Sequence, residues 1–115
     1  MLLDEARRIH SWIDDLDLPR GSVVLNVGSS TATFRKTIQP FIHEHVIQPF
    51  EDKGCRVVHC DMKPDEGVDE VGDLMDEEFR SSLKSYDPVL VLCSNLLEHV
   101  PRPSELAYAC GDLVR

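Results

Sequence analysis

With 115 residues, the chain is long enough for one domain with a modest core and too short for two. Its 42% hydrophobic and 29% charged residues are those of an ordinary globular protein, and no apolar run approaches the roughly 20 residues that cross a bilayer. A net charge of −9 argues against bulk attraction to nucleic acid or anionic lipid, so neither partner is expected.

The opening MLLDEARRIH carries acids and no long apolar core, unlike a secretory signal, and a cytoplasmic location is expected. Cys55, Cys60, Cys93 and Cys110 have neither metal-ligand spacing nor a disulfide-framework pattern, and they read as reduced thiols. The acidic stretch from Asp61 to Glu78 reads as a solvated face rather than a cation site.

In chain order, residues 2–16 place Leu3, Ala6, Ile9, Ile13 and Leu16 at spacings of three and four, the stripe of an amphipathic helix. Pro19 and Gly21 stop it, and the strand SVVLNV follows. Gln-Pro-Phe occurs twice, at 39–41 and 48–50. Each proline ends or kinks a helix, so a short helix, a break and a second helix from about 41 to 48 are expected. Gly54 introduces CRVVHCD, a second short strand ending on Asp61. VGDLMD, residues 71–76, has room for only a very short strand, and DEEFRSSLKS reads as a helix packing through Phe79 and Leu83. YDPVLVLCSN is a continuous apolar run, the pattern of a strand buried on both faces. PSELAYACGDLV closes the chain as a helix, with Pro103 at its entry and Ser104 as the candidate N-cap.

Strands alternating with helices predict one α/β domain over residues 1–115, a mostly parallel sheet with helices on both faces. In such sheets ligands bind beyond the carboxyl ends of the strands, where the strand order reverses. Those ends are Gly28–Thr31, Asp61–Met62, Asp73–Leu74 and Ser94–Asn95, and every polar residue of interest falls on one of them.

At the first end, Gly28 lets the backbone approach a ligand, while Ser29, Ser30 and Thr31 offer hydroxyl donors or simply cap the next helix. At the second, the Asp61 carboxylate suits the two hydroxyls of a ribose; the alternative is a solvated loop acid. At the third, Asp73 suits the exocyclic amine of a base with Leu74 on its face; the alternative is an N-cap or surface acid. Beyond the fourth, Glu98 and His99 form a weak acid–base candidate, because adjacent residues on a helical turn point in different directions. His43, His45, Cys55, His59 and Cys60 lack regular ligand spacing, and no metal site is assigned to them.

Together VVLNVGSSTA, VVHCD, VGDL and YDPVLVLCSNLLEHVPRP resemble the N-terminal, cofactor-binding half of a class I S-adenosylmethionine-dependent methyltransferase, of the small-molecule-type branch. The resemblance implies a Rossmann-like fold and S-adenosyl-L-methionine as cofactor. It implies that the Gly28 turn, with Asn26, Ser29 and Ser30, approaches the methionine part. Asp61 would hold the ribose hydroxyls, with Met62 beside the adenine. Asp73 would meet the adenine amine with Leu74 alongside, and Ser94 and Asn95 would lie near the methionyl amino group. Asn26 stands where the family usually has an acid, and Ser30 and Ala32 where it has glycines.

The resemblance also implies that the sheet normally continues past the last helix, so a chain truncated after its fourth strand and following helix is expected. An exposed edge on that strand would invite self-association. The expected activity is methyl transfer to an unidentified, preferably small-molecule acceptor, with no catalytic residue assigned. The alternative is a non-catalytic methyltransferase-like binding or scaffold module. A nicotinamide or nucleotide-sugar oxidoreductase ranks third: Asp61 follows Gly28 by 33 positions, where that fingerprint expects about 20.

Overall fold

The computed structural model describes residues 1–94 and 101–114. Helix α1 spans Leu3–Asp14, and its Ala6 and Ile13 are buried, as the sequence stripe requires. Leu3 and Leu16, the ends of that stripe, remain partly exposed, Leu3 at the first helical position and Leu16 beyond the helix end. Strands β1 (Val23–Val27), β2 (Arg56–Asp61), β3 (Glu70–Val71) and β4 (Leu90–Cys93) form one sheet in the order β3-β2-β1-β4, with every pairing parallel. β3 is as short as expected but begins at Glu70, so Asp73 lies just beyond the strand.

The region between β1 and β2 departs from the expected pair of helices. Residues Phe34–Ile38 form a widened π-helical turn, Pro40–Ile42 the short α2, His43–Ile47 a second π turn, and Gln48–Asp52 helix α3. The break at Gln39 is where the sequence places it: Gln39 leaves the helical region (φ −126°, ψ 72°) ahead of Pro40, which takes the first helical position. Pro49, however, does not end the helix. A proline removes one N–H and its ring crowds the carbonyl four residues back. Here the Gln48 N–H reaches to the His43 carbonyl, five residues back, and the widened turn carries the chain through Pro49 to Asp52.

Helix α4 (Glu77–Lys84) starts at Asp76, whose carboxylate accepts the Glu78 N–H at 3.1 Å. Helix α5 (Pro103–Asp112) starts with Pro103 as expected, but its N-cap position is Arg102, so Ser104 lies inside the first turn rather than capping it. His43 and His45, spaced for a strand face, sit instead on the second π turn.

Alternation along the strands sorts the core into two layers. Leu25, Val27, Val58 and Cys60 pack with Leu74, Leu83, Leu106 and Leu113 on the side of α4 and α5. Val24 packs with Ile13, Phe50 and Cys55, and next to them Ala6, Val46 and Ile47 gather around Val57 and Leu92. Helices therefore cover both faces. β1 is central and buried from Val24 to Val27. β4 was expected to be buried on both faces, yet all four of its residues are half-buried. Among the described residues β4 pairs with β1 alone, so it sits at the sheet's edge. No helix among the described residues is long and apolar enough to cross a membrane.

Candidate functional site

The strand order reverses between β1 and β4, and the loops leaving the strand ends surround that point. Gly28, directly after β1, takes φ 69°, a left-handed conformation that costs glycine little. Ser30 takes φ 58°, which costs a residue with a side chain about 1–2 kcal/mol.

Named contacts hold it there. The Ser30 N–H donates to Asp61 Oδ2 at 2.8 Å. Arg35 Nη1 donates to the Ser29 and Ser30 carbonyls at 3.1 and 2.7 Å, and Nη2 to the Gly67 carbonyl at 3.0 Å. The Ser29 N–H reaches the Cys60 carbonyl, and the Ser29 hydroxyl donates to the Ser30 carbonyl, both at 3.0 Å. Thr31 Oγ1 accepts the Phe34 N–H at 3.0 Å. Thr31 thus caps the following turn and the Ser29 hydroxyl braces the first turn, while Ser29 and Ser30 both line a pocket.

Asp61 ends β2, and its Oδ1 also accepts the Met62 N–H, at 2.7 Å. An ionised carboxylate has about four lone-pair sites, so one on each oxygen is left for a ligand. Asp73 Oδ1 accepts the Met75 N–H at 2.9 Å, leaving Oδ2 outside that turn, while the helix cap is Asp76 rather than Asp73. Arg80 donates to the Leu74 carbonyl at 2.7 Å, tying this loop to α4.

Gly28, Asp61, Met62, Asp73 and Leu74 line one cleft of about 520 Å³, together with Met75, Phe79 and Leu106. Leu74 is nearly buried, whereas Met62 is 66% exposed and stands at the rim. Asn26, Gly28, Ser29, Ser30 and Ser94 line a second pocket of about 290 Å³, with Phe34, Ile42 and Leu92. Gly28 belongs to both, so the two spaces adjoin at the first turn. Nine of the ten expected binding residues meet here; Asn95 lies outside the described residues, as do Glu98 and His99.

Asn26 Nδ2 lies 3.0 Å from His59 Nδ1. Burial, aided by the nearby Arg35 charge, lowers the His59 pKa to about 4, so the ring is neutral near pH 7. Nδ1 then accepts from the Asn26 amide, the ring proton sits on Nε2, and the Asn26 carbonyl is left to face another partner. Burial, with the carboxylates of Glu70, Asp69 and Asp61, pushes the Cys60 thiol up to about 12 and keeps it protonated.

The histidines are dispersed. His45 Nδ1 lies 2.9 Å from His10 Nδ1, and His43 Nε2 lies 3.1 Å from Gln48 Oε1. Among the described residues no three His, Cys, Asp or Glu side chains come together as metal ligands.

Sequence reasoning missed Arg35, the His59 partner of Asn26, and the walls supplied by Phe79 and Leu106. Phe79 and Leu106 carried a signal, since each stands on the apolar side of an expected helix. Nothing in the sequence separates Arg35 from Lys36 beside it. The fold and site define an α/β protein with a divided cleft at its strand-order reversal. Comparison with protein-family models, curated proteins and solved structures found no match.

Proposed function

We propose that the chain binds S-adenosyl-L-methionine across the reversal point and serves methyl transfer to a small-molecule acceptor. The observation that carries this reading is the presence of Asp61 and Asp73 in one cleft with Met62, Leu74 and Phe79, beside the Gly28 turn. Adenosine offers two ribose hydroxyls, an exocyclic amine and a flat apolar ring. The unused lone pairs of Asp61, Asp73 Oδ2 and the apolar walls match those groups in kind. In the adjoining pocket the Asn26 carbonyl and Ser94 match an ammonium donor. The order β3-β2-β1-β4 matches the first four positions of the doubly wound dinucleotide-fold order 3-2-1-4-5-6, which supports a Rossmann-like reading.

The cofactor, when bound, supplies an electrophilic methyl group on a sulfonium sulfur. The chain's residues contribute position and desolvation: Asp61 and Asp73 fix the adenosine end, Gly28 permits close approach, and Phe34, Ile42 and Leu92 keep water from the adjoining pocket. Such a reaction requires no covalent catalytic residue, and none is assigned.

The neutral Asn26–His59 pair, in place of an acid, favours a second reading, a binding or scaffold module without turnover. Calorimetric titration with S-adenosylmethionine and S-adenosylhomocysteine tests the first. Saturable binding of both supports the site, whereas no binding at millimolar ligand removes it. Binding with no methyl transfer to any acceptor in a broad small-molecule panel favours the module.

A further inference from the structure

Arg35 is the one buried charged side chain among the described residues, 3% exposed. A buried guanidinium is normally paired with a carboxylate. The hydrogen bonds of Arg35 go instead to three backbone carbonyls, those of Ser29 and Ser30 on the first turn and Gly67 on the β2–β3 loop. Asp69 and Glu66 support its charge electrostatically, against the cost of burial.

The surroundings are fitted to this fork. Gly67 takes φ +78°, and a Cβ there would stand 2.5 Å from the Ala32 Cβ and 2.9 Å from Arg35 Nη2. Ser30, in its left-handed conformation, has both polar ends of its backbone held: the carbonyl by Arg35 and the N–H by Asp61.

From this geometry we infer that Arg35 is the positioning residue of the ligand turn. Its planar, charged fork draws the Ser29 and Ser30 carbonyls away from the pocket and does for this turn what further glycines would do by their own freedom. The inference takes its ligand from the proposed cofactor site, but its geometry stands apart from that reading.

The test is Arg35→Lys in the full chain, which keeps the charge and loses the fork. S-adenosylhomocysteine affinity and amide hydrogen exchange are measured together. Affinity is expected to fall about tenfold, and exchange of the Ser30 N–H to quicken about tenfold or more, while the Val24, Leu25 and Val58 amides are unchanged. Ser30→Gly, added to Arg35→Lys, should restore most of the affinity, because glycine adopts the required φ unaided. A purely structural arginine would instead quicken all amides alike and show no rescue, and that result overturns the inference, as does unchanged exchange at Ser30.

If the wild-type chain fails to bind S-adenosylhomocysteine, the cofactor reading falls by itself. The clamp is then judged on exchange alone, selective acceleration at Ser30 upholding it and uniform acceleration overturning it. Should Arg35→Lys not fold, Arg35→Gln carries the same comparison.

Discussion

Replacing Asp61 by alanine removes two contacts that shape the site before any ligand arrives. The carboxylate accepts the Ser30 N–H at 2.8 Å and the Met62 N–H at 2.7 Å. A hydrogen bond to a charged group contributes about 1.5–3 kcal/mol when shielded. Asp61 is half-buried, so water replaces part of each bond, and the expected loss of stability is about 2 kcal/mol in total. For a chain of this size that corresponds to a fall in Tm of about 6–10 °C.

Asp61→Asn keeps one acceptor oxygen and loses the charge, so its fall should be roughly half as large. Loss of the ribose contacts comes on top: about 1–3 kcal/mol, or roughly 5- to 150-fold in S-adenosylhomocysteine affinity. Thermal unfolding followed by circular dichroism and calorimetric titration measure the two parts separately. An Asp61→Ala variant melting with the wild type would refute the bracing of the turn. Normal melting loss with unchanged affinity would take Asp61 out of the ligand site.

Gly67→Ala places a Cβ against the Ala32 side chain and backbone nitrogen in a φ of +78°, and it should destabilise by about 2–4 kcal/mol, read as the midpoint shift in urea. His59, near pKa 4 when folded and about 6.5 when unfolded, makes the unfolded chain the stronger proton binder between those values. Stability should therefore fall as pH drops from 6.5 toward 4, by about 2 kcal/mol after allowance for partial exposure. His59→Gln should remove that component, and a wild-type and variant pair with parallel pH profiles of Tm would contradict the shift.

Strands β1, β2 and β4 and their ends were legible because two signals coincided: runs of strand length rich in apolar residues, each followed within two positions by a residue with hydrogen-bonding chemistry. Asp61 and Asp73 could be placed in one cleft from that coincidence, since a parallel sheet brings all its carboxyl ends to one side. What was not legible depended on contacts distant in sequence. Pro49 signals a helix end locally, and only a π turn packed through Val46 and Ile47 overrides it. Ser30 looks unsuited to a tight turn until Arg35 and Asp61 are seen holding its backbone. Ser104 has the chemistry of a cap but lies two residues past the cap position, because Pro103 already occupies the first helical turn.

The sheet's connectivity also sets the order in which the molecule can come together. β1 meets β2 with Val23 opposite Arg56, 33 residues away, but meets β4 with Val24 opposite Leu90, 66 residues away. Doubling the closed loop costs only about 0.6 kcal/mol at equilibrium, yet distant pairings form late on the folding path. The smaller pocket takes Leu92 and Ser94 from β4 and its end, so the shorter-range β1–β2 layer is expected to form first and that pocket last. Under denaturing stress the same asymmetry runs backwards: β4 and the pocket beside Ser94 are expected to let go while β1 and β2 still hold.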